Sequence, residues 1–205
     1  FRDPLAPEAP LTVPVGERLG RAGVEEYPRR VTVGPGGIVS LRTEPRRHQF
    51  IGTSITLTHR RPLPRLDGGE VEPGGLPITL RVLGRGNVGN AALAAVAGLC
   101  LGYSPEQVAG ALEAFEAPWR RMQVVYRGDF TVLDDTVGHP DSISAVFDLV
   151  RQCRYRRLHV VYAIRGRRGT EINHRDAQSV AIWSRRVPIA TRLVTASVDA
   201  ADERK

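Results

Sequence analysis

Apolar positions along the chain fall into two regimes. From Val31 to Val82 they come in short runs broken by turn residues: "VTV", the glycine-rich "GPGG", then "IVSL", a pattern that predicts a β-hairpin. "FIGTSITLT" and "LPITLRV" follow as further strands, separated by "HRRPLPRLDGGEVEPGG", whose Pro and Gly content predicts a loop without regular structure. Together these runs predict a small antiparallel sheet, while residues 1–30, rich in Pro, Glu and Arg, read as irregular. From residue 88 the spacing turns helical. A first helix over 88–101 ends at Gly102, and "SPEQVAGALEAF" opens a second, with Ser104 as N-cap, Pro105 at the first helical position and Gln107 closing a capping box. Val108, Ala111, Leu112 and Phe115 share one face of that second helix.

Pro118 stops the helix and the pattern restarts, which places a domain boundary between residues 1–117 and 118–205. "QVVYRGDFTVLDD" reads as two strands joined by a turn at Arg127, Gly128 and Asp129. Then come a helix over "HPDSISAVFDLVRQC", with Ile143, Val146, Phe147 and Val150 on one face, a buried strand "RLHVVYAI", a helix over "NHRDAQSVAIWSRR" and a strand "TRLVTAS". Alternating strand and helix predicts a parallel, Rossmann-like sheet. The fold class is therefore α/β: a small sheet with two helices, then a Rossmann-like domain. In such sheets ligands bind beyond the C-terminal strand ends. Here those ends deliver Asp134 and Asp135, then Arg165, Arg167 and Arg168, then Ser197, Asp199 and Asp202.

Composition narrows the picture only a little. No apolar run is long enough to span a bilayer, and no signal segment opens the chain. Cys100 and Cys153 lie in apolar helical settings, as expected of reduced residues in a cytoplasmic protein. The net charge of +7 is almost wholly arginine, Lys205 being the sole lysine. The arginines are scattered and lack interleaved aromatics, which argues against a nucleic-acid surface and leaves phosphate groups of a smaller ligand compatible. His48, His59, His139, His159 and His174 show no metal-ligand spacing. "HRD" at 174–176 occurs without the DFG segment and the strand lysine that accompany it in a kinase. The chain begins at Phe1 and its one methionine is Met122, so it reads as a fragment lacking an N-terminal portion, with an incomplete second domain.

Gly84, Gly86 and Gly89 stand in the spacing G-x-G-x-x-G, between an expected strand and an expected helix. A dinucleotide fingerprint would require a second parallel strand with an acidic end after that helix. The sequence instead runs from helix to helix, which disfavours an oxidoreductase.

Three blocks carry a different signal. "LGRGNVGNAALAAVAGLCLGYSPEQVAGALEAF" resembles the end of the central domain of Mur ligases and folylpolyglutamate synthetases. "RRMQVV" is similar to the opening of their C-terminal domain, and "VLDDTVGHPDSISAVF" to their Asp-Tyr-Ala-His-x-Pro-Asp segment. The resemblance implies ATP-dependent ligases that use Mg²⁺ and join a carboxylate substrate to an amino acid or amine through an acyl phosphate. It implies that Asn87 and Asn90 lie at the nucleotide, that Arg121 approaches the ATP phosphates, and that Asp135 lies near the ribose. Three of the four have a plainer alternative: Asn87 an N-cap, Arg121 a solvated arginine, Asp135 an acidic cap for the helix at Pro140. Arg165, Arg167, Arg168 and His139 are candidates for substrate binding, since arginine forks suit phosphate and carboxylate. No catalytic residue and no protein metal ligand is assigned.

The chain also departs from the family. Gly86 stands where the family has His, Arg120 where it has Gly, and Gly138 where it has His, with His139 adjacent. No G-x-x-x-x-G-K-[ST] phosphate loop occurs, so this stretch by itself is expected not to hydrolyse ATP. The alternative to a ligase is a non-catalytic module that keeps the fold for binding or scaffolding.

Overall fold

A computed structural model describes residues 11–14, 29–45, 52–166 and 169–196, which divide into two units, one running through Ala117 and one starting at Pro118. The first unit contains strands β1 (Leu11–Pro14), β2 (Arg30–Val33), β3 (Val39–Pro45), β4 (Thr53–His59), β5 (Leu63–Pro64), β6 (Glu70–Val71) and β7 (Gly74–Leu80), then helices α1 (Arg85–Cys100) and α2 (Pro105–Ala114). Five strands form one sheet in the order β1-β2-β3-β4-β7. Its core follows from two-residue alternation: Ile55 and Leu57 of β4 face Ile78 and Leu76 of β7, and Leu57 also faces Leu41 of β3. Helix α1 lays Val88, Ala92, Ala95, Val96 and Leu99 into the same core, the alanines letting the helix come close to the strands. Helix α2 packs along β7 and fastens to it where the Thr79 N–H donates to Glu113 Oε1 at 3.1 Å.

Several sequence expectations are corrected here. The sheet is mixed, because β1, inside the stretch read as irregular, pairs in parallel with β2. The hairpin expected at 31–41 does not form: β2 meets β3 in parallel orientation and only at Val33 and Val39. A connection of a few residues cannot carry a parallel ladder, so the contact stops at one pair. The loop after His59 holds a short ribbon of β5 and β6, and Leu63 within it is fully buried in the core. Helix α1 starts at Arg85, three residues before the expected position. Helix α2 keeps its expected capping box at Ser104 and Gln107, but buries only Val108, with Ala111 and Phe115 exposed.

The second unit opens with a hairpin of β8 (Gln123–Arg127) and β9 (Thr131–Asp134), as expected, turning through residues 128–130. Helix α3 (Pro140–Gln152), strand β10 (His159–Ile164), helix α4 (Thr170–Ser184) and strand β11 (Thr191–Ala196) then form a parallel β-α-β unit. Ile143 and Phe147 of α3, Trp183 of α4 and Val187 make its core, with Val160 and Tyr162 of β10 packed against them. Phe147 and Trp183 stack with centroids 5.7 Å apart, and Trp183 Nε1 donates to Ser144 Oγ at 3.0 Å. Val146 is half-buried beside them. The expected burial of β10 is corrected: its residues alternate between exposed and half-buried, because the described helices cover one face of the β10–β11 pair. β11 is exposed throughout.

Candidate nucleotide-binding site

The turn into α1 begins after β7 with the buried pair Val82 and Leu83 and then Gly84, whose φ of 87° only glycine adopts freely. Gly84 is the N-cap, and neither a side-chain cap nor an acidic residue of the first turn satisfies the amides there. An α-helix leaves its first amides without intrahelical partners and carries partial positive charge at that end, the arrangement that attracts phosphates. Asn87 is not the N-cap that one alternative gave it. It lies in the first turn, half-buried, and its Nδ2 donates to Leu83 O at 2.7 Å, bracing the turn. Asn90 is exposed one turn on, at i+3, the spacing of neighbours on a helix surface.

The same geometry removes the dinucleotide reading. Gly86 and Gly89 lie inside α1, a Cβ at either would meet nothing within 4 Å, and α1 is followed by α2. Neither glycine therefore serves a tight turn or a close approach. Replacing Gly86 by Ala is expected to stabilise the fold by about 0.5–1 kcal/mol, read as a higher urea midpoint, since alanine is the better helix former.

In the second unit, Arg121 sits on the tight turn before β8. Its side chain is exposed, with Nη1 3.5 Å from Thr136 O, and it makes no ion pair among the described residues. Asp135, at the end of β9, is half-buried and accepts the Met122 N–H on Oδ1 at 3.2 Å. It is not the cap of α3. That role falls to His139, whose Nδ1 lies 3.3 Å from the Asp141 N–H. The same Nδ1 is 3.3 Å from Asp141 Oδ2. Arg165 is exposed after β10, and its carbonyl accepts from Asn173 Nδ2 at 3.2 Å, fixing the entry to α4. Arg167, Arg168, Ser197, Asp199 and Asp202 lie outside the described residues.

The structure thus sets Asp135 against the turn that carries Arg121 and places Asn87 and Asn90 on one helix end, while His139 caps α3 and the Arg165 carbonyl fixes the entry to α4. Sequence reasoning missed the pairing of Arg120 Nε with Asp134 Oδ2 at 3.2 Å. It also missed Asp176, buried on α4, whose Oδ2 lies 3.4 Å from the Tyr162 hydroxyl and whose Oδ1 has no partner among the described residues. Burial pushes both thiols, Cys100 and Cys153, above the usual cysteine range, with Arg29 partly offsetting it at Cys100, which keeps them protonated and unreactive. Among the described residues no three His, Cys, Asp or Glu side chains group as metal ligands. None of the described helices is long and apolar enough to cross a membrane.

The two units share their fold with solved ligase structures. The D-alanyl-D-alanyl-adding UDP-N-acetylmuramoyl-peptide ligase of Acinetobacter baumannii superposes with a TM-score of 0.69 at 21% identity, covering 97% of this chain and 41% of that one. A folylpolyglutamate synthase from Thermotoga maritima does so with a TM-score of 0.63 at 12% identity, over 91% of this chain and 40% of that one. Residues 120–205 match the family model described as Mur ligase, glutamate ligase domain. The chain is similar to the Mur ligase family over these residues. A UDP-N-acetylmuramate–L-alanine ligase of Solibacter usitatus is 40% identical over 86 residues, which is 40% of this chain and 18% of that protein. One from Bifidobacterium longum is 40% identical over 84 residues, 40% of this chain and 16% of that protein. The chain therefore spans about two fifths or less of the length of each of these four proteins.

Proposed function

We propose that this chain supplies nucleotide contacts to an ATP-dependent ligase that joins a carboxylate substrate to an amino acid or amine. The carboxylate oxygen attacks the γ-phosphorus of ATP, releasing ADP and forming an acyl phosphate. The amine nitrogen then attacks the acyl carbon, phosphate leaves, and the amine loses a proton. Such chemistry needs charge stabilisation at the phosphates and close positioning of the two reactants. In the second unit Arg121 offers the first, and Asp135 is suited to a ribose hydroxyl. In the first unit, taken by itself, the open first turn of α1 suits a phosphate, and Asn87 and Asn90 hold that helix end in shape or reach a ligand there. The relatives' names specify UDP-N-acetylmuramate and L-alanine. For this chain the proposal stays at the class of carboxylate and amine, because specificity resides in sites grafted on the fold. ATP and Mg²⁺ are typical of the family. The described residues form no cage of oxygen ligands for Mg²⁺.

The observation that carries this reading is Arg121: inside the segment that matches the ligase domain, its guanidinium is exposed and has no counter-ion among the described residues. The test is calorimetric titration with a non-hydrolysable ATP analogue and Mg²⁺. Arg121→Ala is expected to weaken binding by roughly 10- to 100-fold, the loss of a charge-assisted hydrogen bond to phosphate, and Asn90→Ala by roughly fivefold. Unchanged affinity in both, with folding intact, would leave the fold without the ligase site and favour a scaffold.

A further inference from the structure

Among the described residues only two that are not glycine hold a left-handed backbone, Arg120 at φ 59° and Met122 at φ 50°, and they flank Arg121. A side chain with a Cβ adopts that conformation reluctantly, so a turn built on two such residues persists only when its surroundings hold it. The holding is done by three consecutive residues at the end of β9. Thr136 N–H donates to Arg120 O at 2.8 Å, Asp135 Oδ1 accepts the Met122 N–H at 3.2 Å, and Asp134 Oδ2 accepts from Arg120 Nε at 3.2 Å. Gln123 Oε1 adds an acceptor for the Arg120 N–H at 3.2 Å. Of these contacts only the Arg120–Asp134 pair depends on the side chain at position 120. A glycine there would take the same φ without it.

We infer that Asp134 is a positioning residue for Arg121: by pairing with Arg120 it keeps the 120–122 turn in the left-handed form that aims the Arg121 guanidinium. The nucleotide role of Arg121 is the reading proposed above, on which this inference rests. A turn that spends part of its time released lowers apparent affinity by the fraction of time in which it is competent. The pair is partly exposed, at 47% and 33% of the two side chains, which limits its effect to a small factor.

The test uses the same analogue titration together with amide hydrogen exchange at Thr136, whose N–H is bound by Arg120. Asp134→Ala is expected to weaken analogue binding roughly threefold to fivefold and to speed Thr136 exchange by a similar factor. Arg120→Gly alone is expected to change neither by more than about twofold, and adding it to Asp134→Ala is expected to restore both. A general loss of folding would not be reversed by a glycine at position 120. The inference is overturned if Asp134→Ala leaves binding and exchange unchanged, or if the double variant behaves like Asp134→Ala. Should Arg121→Ala leave affinity unchanged, the nucleotide reading fails by itself, and exchange at Thr136 with its reversal by Arg120→Gly still decides whether Asp134 holds the turn.

Discussion

Gly52→Ala is expected to lower the unfolding free energy of the first unit by about 3 kcal/mol or more, moving its melting temperature down by roughly 10–20 °C. Gly52 is buried at the start of β4 with φ 134°, a conformation that L side chains rarely adopt. An added Cβ would land on the Leu80 carbonyl oxygen, and would also come within 3.0 Å of Leu80 C and 3.2 Å of Arg81 Cα. All three are backbone atoms, so no rotamer change relieves the clash. The methyl must instead pry β4 from β7 at Thr53 and Leu80, the last pair of their ladder. That pair stands immediately before Val82 and Leu83, from which α1 takes its start. The loss therefore reaches the helix end bearing Asn87. Circular dichroism on heating checks it, and a melting temperature within about 2 °C of the parent would mean that the close approach of the two strands is not what Gly52 provides.

What the sequence reveals depends on the range of the interaction. The capping box of α2 is legible because Ser104 and Gln107 satisfy each other within one turn. The β8–β9 hairpin is legible because its turn residues and both strands are adjacent. The hairpin expected between β2 and β3 fails because β2 finds its ladder with β1, a partner more than ten residues away with weak periodicity of its own. Leu63 sits in a stretch whose Pro and Gly content signals a loop, yet the residue is pulled into the core, since composition says nothing about where a loop packs. Strand β10 reads as buried because "HVVYAI" is apolar throughout. Only the placement of α3 and α4 on one face shows that Val161 points away from the core.

The candidate site divides along the same line. Arg121, Asp135, Asn87 and Asn90 are visible through resemblance, as positions in motifs. Their local roles are not, because Asn87 looks equally like an N-cap and Asp135 equally like a helix cap until Gly84 and His139 are seen in those places. The left-handed turn at Arg120 has no signal in this chain's own residues, because arginine stands where the resembled family has the glycine that suits positive φ. Arginine is not among the residues enriched at positive φ, and the contacts that hold it come from residues 134–136, across the whole hairpin.

Phe147→Ala is expected to remove about 3–5 kcal/mol from the second unit, the range for truncating a buried phenylalanine. The cost falls on a small core. Ile143, Phe147, Trp183 and Val187 are its buried members, and Phe147 supplies the ring that lies nearly parallel to Trp183, at 7° between planes. A unit of this size has a total stability of only about 4–13 kcal/mol, so the variant is brought close to unfolding under ordinary conditions. Trp183 reports the change directly: its emission should shift to the red at a much lower urea concentration. Trp119, already 79% exposed, contributes a nearly constant background. Phe130→Ala is the matched control, since that ring is 62% exposed and its removal should cost less than about 1 kcal/mol. An unchanged urea midpoint in Phe147→Ala would mean that the stacked pair is not the core of the unit. The pairing with function is then quantitative. Phe147→Ala should lower analogue binding only in proportion to the folded fraction, so that affinity returns when the temperature is lowered or a stabilising osmolyte is added. Arg121→Ala should lose affinity at full stability and regain none of it. The two variants thus separate a residue that holds the unit together from one proposed to hold the nucleotide.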